Sequence, residues 1–331
     1  MALTGRIPPD FGNLTFFVSL DLHSNNFYGN LPREMARLRR LRFVKLSFNN
    51  FSGEVPSWFG DLHQLEVLTL SNNSFSGSIP SLLLNISTIQ ILALTYNSLE
   101  GQIPKEIENL RLAGNKLISS IPPPLFNASM LVTLYLYNNF LQGNIPEEIE
   151  KHQNLKDLAI QSNRLTGSIP ASIFNISEIE SIALFDNASE KLPPDMCDGL
   201  PMLEELYLSF NKLCGYMPLI LSNCSKLQTL YLSANEFDGP IYSEIGQLSN
   251  LKNLYRESNH FEGRNNIIGF LPREVGDLTK LQILQVNENM LTGLIPKTLE
   301  KLQNLKYFNI SFNKLVADTP SGGPLQNLSS Q

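Results

Sequence analysis

The 331-residue sequence predicts an α/β solenoid: a right-handed stack of about thirteen repeats of 24 residues, with a concave parallel sheet and short helical or 3-10 segments on the convex side. Three observations predict it. An asparagine recurs at a fixed interval, a Leu-x-Leu pair precedes it, and a Gly-x-apolar-Pro motif follows it.

The asparagines set the frame. Asn25, Asn49, Asn73 and Asn97 stand 24 apart; after a short step Asn115, Asn139, Asn163, Asn187, Asn211, Asn235 and Asn259 stand 24 apart again; Asn289 and Asn313 close the series. A buried turn leaves backbone groups that need partners, and an Asn amide both donates and accepts. Stacked asparagines can therefore bridge those groups from repeat to repeat, which assigns these residues a structural role.

Ahead of each Asn lies a short strand, as in Leu20-Asp21-Leu22, Leu134-Tyr135-Leu136 and Leu206-Tyr207-Leu208. Side chains alternate along a strand, so the leucines point inward and the residues between them outward. One repeat cannot bury its leucines alone, whereas stacked neighbours can. After each Asn, motifs such as Gly29-Asn30-Leu31-Pro32 and Gly77-Ser78-Ile79-Pro80 turn the chain. Glycine permits the bend and proline fixes φ and ends the extended segment. The stretch that follows, for example Glu147-Glu148-Ile149, reads as one turn of helix or 3-10 on the outer face.

Composition bounds the function. Hydrophobic residues make up 42% of the chain, enough for a long core, and charged residues only 17%. The net charge of -6 and the pI near 5.4 argue against nucleic acid, whose binders carry a clustered basic face. No run approaches the 18 apolar residues of a membrane helix, and the N-terminus lacks the apolar core of a signal peptide. No catalytic constellation is found. His23, His63, His152 and His260 are scattered over different repeats, and no metal-ligand spacing or phosphate-binding loop occurs. The expectation is a binding module with no enzyme activity, no cofactor and no metal.

The unit Leu-x-x-Leu-x-x-Leu-x-Leu-x-x-Asn-x-Leu-x-Gly-x-Ile-Pro, spelled almost in full from Leu62 to Pro80, resembles the plant-specific leucine-rich repeat. The tail around Ser311-Phe312-Asn313-Lys314-Leu315 and Pro320 resembles the end of plant receptor-like kinase ectodomains. Phe174-Asn175-Ile176-Ser177 and Gly199-Leu200-Pro201-Met202-Leu203 resemble the immune-receptor subgroup. The resemblance implies an extracellular, cell-surface module in signalling or defence that recognises a peptide or protein, with a co-receptor of similar repeats as a further partner. The chain departs from that plan in having no cysteine caps, membrane helix or kinase, so it reads as a fragment. Two alternatives stay open. Polygalacturonase inhibitors, secreted against a wall-degrading enzyme, use a similar repeat, and a truncated receptor copy would have no function. The chain is expected to be one domain over 1–331, with a partial repeat at 1–13 and a tail at 321–331. Its uncapped ends would expose apolar edges and limit solubility.

Breaks in the frame have two readings, a bulged loop that shapes a site or drift in repeat length. Asn97 to Asn115 spans 18 residues, the repeat after Asn187 lacks its Gly, and residues 260–266 insert six residues after Asn259. Arg256 also replaces a core leucine there. Irregular packing is expected around 97–115 and 253–272.

Outward columns suggest the binding surface. Tyr207, Tyr231 and Tyr255 would stand side by side, and exposed tyrosines anchor interfaces with an apolar face and a polar tip. Tyr135, Phe210 and Glu257 complete the candidate ligand-contacting set; the alternative is that Leu-Tyr-Leu is filler in this repeat class. Of ten Asn-x-Ser/Thr sequons, five share one outer-face position, Asn13, Asn85, Asn127, Asn175 and Asn223. These are candidate glycosylation sites, although Asn- and Ser-rich repeats also generate sequons freely. Three cysteines cannot form a closed framework, but Cys197 and Cys224 lie on the outer side of adjacent repeats and could pair.

Overall fold

The structure is a computed structural model and describes residues 2–103, 109–127, 131–259 and 269–316. The chain divides into two compact units, Met1–Arg164 and Leu165–Gln331. In the first, seven parallel strands carry the Leu-x-Leu pairs, from Ser19–Asp21 to Asp157–Ala159. In the second there are six, from Ser181–Ala183 to Tyr307–Asn309. Within each unit the register is without slip: Asp21 faces Lys45, Lys45 faces Thr69, Tyr207 faces Tyr231 and Tyr231 faces Tyr255. A one-residue slip would turn every leucine outward, which is why the repeat length is held so strictly.

The core is the inward set of those leucines plus one apolar residue from each turn. Leu68, Leu70, Leu206 and Leu208 are fully buried, as are Met35, Phe59, Ile149 and Leu299 from the outer segments. Those segments are all 3-10, each of five residues, and no α-helix occurs among the described residues. The motif explains the choice. A proline in extended conformation precedes most of them, as Pro32 does at φ -69°, and fixes the entry. The turn then closes on a buried leucine whose N–H donates to the apolar third residue, as Leu38 does to Met35. Only one turn is needed to bridge two strands 24 residues apart, and a 3-10 turn is the tight solution.

The Asn frame appears as a continuous hydrogen-bond ladder within each unit. Asn139 is typical: its amide nitrogen donates to the carbonyls of Leu136, Tyr137 and, one repeat earlier, Leu112. Its Oδ1 accepts from Leu117 N–H. The residue before each of these asparagines is left-handed, with φ of 51–58° at twelve non-glycine positions, and Gly114 fills the thirteenth at 64°. In the first unit, Phe27, Phe51 and Phe75 form an inner spine with ring centroids 6.1 and 6.3 Å apart.

The motif glycines have a second reason beyond their positive φ. At Gly53 (φ +84°) a Cβ would come within 2.7 Å of Oδ1 of Asn30, the residue after the motif glycine of the preceding repeat. Gly239 and Gly293 are crossed in the same way by Tyr216 and Phe270, whereas Gly215 stands clear.

The short step at Asn97–Asn115 leaves the frame intact where it is described. Asn109–Arg111 pairs in register with its strand neighbours, Leu110 and Leu112 are fully buried, and Asn115 accepts from Leu99 N–H. The remainder of the expected irregularity, at 104–108 and 260–268, lies outside the described residues. The defective repeat after Asn187 is different. A turn over residues 194–199 replaces the 3-10 segment, and its Cys197 forms a disulfide with Cys224, the two Cα atoms 5.3 Å apart. Cys214 is free and exposed.

Two polar residues occupy core leucine positions. His152 stands where other repeats have Leu38, Leu62 or Leu302; it is buried against the Phe126 ring at 5.4 Å. Burial pushes its imidazole below the ordinary range, partly opposed by the Leu125 backbone. Arg256 stands in the place of Leu208 and is completely buried, and desolvation lowers its guanidinium to about 9.

Candidate functional site

Strand alternation and a fixed register bring Tyr207, Tyr231 and Tyr255 onto one face of the second unit. Their ring centroids are 5.1 and 4.0 Å apart, and the second pair lies nearly parallel at 15°. All three are half-buried. A row of stacked rings presents a rigid apolar strip with hydroxyls at its edge.

The strip is bounded by carboxylates. Burial, the Glu205 charge and a hydrogen bond to Glu205 push the Tyr207 phenol up to about 12. Tyr231 is raised further by burial, by a hydrogen bond with Tyr255 and by the nearby Glu257. These phenols therefore stay neutral over the physiological range. Glu257 lies in the column beside the rings; Phe210, 62% exposed, holds the left-handed position after the Tyr207 strand.

The structure separates the expected set. Tyr135 belongs to the first unit, where it lies 6.2 Å from Tyr137, itself 6.5 Å from Tyr96, with the Arg111 guanidinium 5.6 Å from its ring. Tyr137 is pushed up to about 12 by burial and by its hydrogen bond with Tyr96. Sequence reasoning omitted Glu205, whose signal was available: it stands two residues before Tyr207 and so shares its face.

The five outer sequons occupy one structural position, the last residue of a 3-10 turn, from Pro9–Asn13 to Leu219–Asn223. Asn13, Asn175 and Asn223 are exposed there. Among the described residues no group of three or more His, Cys, Asp or Glu converges to hold a metal ion, and no helix is long and apolar enough to cross a membrane. A recess of about 280 Å³ opens between the Ser243–Gln247 and Arg273–Asp277 turns, on the side away from the tyrosines.

Comparison with known proteins agrees with the repeat fold. A family model described as Leucine rich repeat matches residues 153–213, and a second of the same description matches 40–62, 64–86, 130–152 and 226–248. The Arabidopsis receptor kinase HAESA ectodomain, solved with an N-terminally extended IDA peptide hormone, superposes with a TM-score of 0.87 at 30% identity, over 96% of this chain and 53% of that one. PEPR1 with AtPEP1 gives a TM-score of 0.82 at 31% identity, over 95% and 48%. A leucine-rich-repeat protein of Leptospira interrogans gives 0.77 at 30% identity, over 94% of this chain and 76% of that one. No curated protein matches the chain. The chain spans about half the length of the receptor ectodomains it matches. With its ladder, its strand register and a relative covered over most of its length, the chain belongs to the leucine-rich-repeat family.

Proposed function

We propose that this chain is the ligand-recognition part of a cell-surface receptor in signalling or defence, that it binds an extended peptide or protein segment, and that it has no catalytic activity of its own. The observation that carries the reading is the row of Tyr207, Tyr231 and Tyr255, three half-exposed rings in register on consecutive strands. Its likeness to ectodomains solved with peptide hormones, HAESA with IDA and PEPR1 with AtPEP1, supports a peptide as ligand. A second supporting likeness is the complex of HAESA, IDA and the co-receptor SERK1, which makes a similar repeat protein a candidate partner. Phe210 and Glu257 flank the contact, and the Tyr96–Tyr135–Tyr137 group of the first unit is a second contact area. Glycans on Asn13, Asn85, Asn127, Asn175 and Asn223 would stand on the 3-10 side, clear of the strand face. The test is selection of a random peptide library on the purified protein, followed by replacement of all three tyrosines with serine. The selected peptides are expected to bind the variant at least about tenfold more weakly, since each ring contributes on the order of 1 kcal/mol. Unchanged affinity in a variant with the native circular dichroism spectrum overturns the reading.

A further inference from the structure

The outward positions of each unit can be compared as four columns. In the second unit these are headed by Ser181, Ala183, Phe185 and Asp186. Together they contain four carboxylates, Asp186, Glu205, Glu257 and Glu288, and no Lys, Arg or His. In the first unit the equivalent columns, headed by Ser19, Asp21, His23 and Ser24, are balanced: Asp21 and Asp157 against Lys45 and Arg111. Lys45 pairs with Asp21 there at 3.8 Å. Of the two cations beside the Tyr255 strand, Lys252 is tied to Gln228 at 2.7 Å ahead of it, and Arg256 is completely buried behind the face.

A second observation lies in the column beside the rings. On three consecutive repeats, Ser233 Oγ, Glu257 Oε2 and Asn287 Oδ1 are shielded from solvent and have no hydrogen-bond partner among the described residues. Ser233 and Asn287 are 5% and 7% exposed. Shielded acceptors without donors cost free energy, and a ligand that brings N–H groups recovers it.

We infer that the tyrosine face takes a basic peptide segment, with the stem of a Lys or Arg side chain lying along the exposed edge of the Tyr231 and Tyr255 stack and its N–H groups directed to Glu257 and Asn287. The inference rests on the recognition reading above and adds the charge of the ligand. Glu205, Asp186 and Glu288 would steer a cationic chain toward the row.

The test measures fluorescence anisotropy of two labelled octapeptides, one alternating Gly and Arg and one alternating Gly and Glu, against the full chain. The Arg peptide is expected to bind at least about tenfold more tightly, with affinity falling as salt rises. Glu205→Gln with Glu257→Gln is expected to weaken it about fivefold or more. The control Glu147→Gln with Glu150→Gln removes the same charge from the 3-10 side and is expected to change little. Equal binding of the two peptides, or an equal loss in the control, overturns the proposal. The tyrosine-to-serine variant separates the two readings. If it loses peptides of either charge equally, the face stands and the basic ligand falls. If it keeps full, charge-selective binding, the tyrosine row itself is not the contact and both fall.

Discussion

The backbone N–H of Leu117 donates to Oδ1 of Asn139 over 3.1 Å, a bond inside the core that joins one repeat to the next. Three further bonds leave the same amide, so one side chain satisfies four backbone groups. Asn139→Ala leaves them without partners where water cannot reach. The expected loss is about 2–4 kcal/mol. Asn25→Ala, at a half-exposed position, should cost under about 1 kcal/mol. Thermal melts followed by circular dichroism decide this; equal costs at the two positions would refute a burial-dependent ladder.

His152 makes stability depend on pH in a stated direction. Burial depresses its pKa in the folded chain, while the unfolded chain has the ordinary value near 6.5. Below that value the unfolded state binds more protons than the folded one, so stability is full above it and falls as pH drops through it toward the folded value. Lys151, the charged neighbour that acts on it, works in the same direction. The native chain should therefore lose stability relative to His152→Leu between pH 7.5 and 5, by at most about 1.4 kcal/mol per pH unit. Urea melts of both proteins across that range are the measurement, and parallel curves would exclude the effect.

The disulfide compensates for a local defect. Residues 194–199 have lost the 3-10 turn, and Cys197–Cys224 ties that segment to the next turn across 27 residues. Closing a loop of that length contributes about 3.5 kcal/mol in the chain-entropy treatment. Replacing both cysteines with serine should lower stability by roughly 2–4 kcal/mol. Hydrogen exchange should accelerate most between residues 190 and 225, and a uniform change along the chain would count against a local staple.

Much of this was legible in the sequence because the period is rigid. Once Asn211, Asn235 and Asn259 are placed 24 apart, Tyr207, Tyr231 and Tyr255 must align, and Tyr135 must fall elsewhere. The 3-10 character of the outer turns was not legible, because a five-residue segment after proline fits either helix. Nor was the hydrogen bond from the Ser181 hydroxyl to Glu205 at 3.3 Å, which depends on rotamers rather than spacing. Arg256 was visible as a misfit in a leucine column, whereas His152 was read only as a scattered histidine. Its burial follows from comparing column with column, as Leu38, Leu62 and Leu302 show. The pairing of Cys197 with Cys224 was open in sequence because adjacency across repeats does not settle the Cα distance.

The left-handed residues before the ladder have a consequence for how such a surface can change over generations. Phe48, Tyr96, Asp186, Phe210 and Glu288 share one backbone conformation, φ 52–58°, although β-carbon sterics disfavour it for most of them. Ladder bonds on either side hold the conformation, so the side chain at this position does not set it. Mutation there is buffered: the residue most free to vary is also among the most exposed, and new specificities can arise without first destabilising the scaffold that displays them.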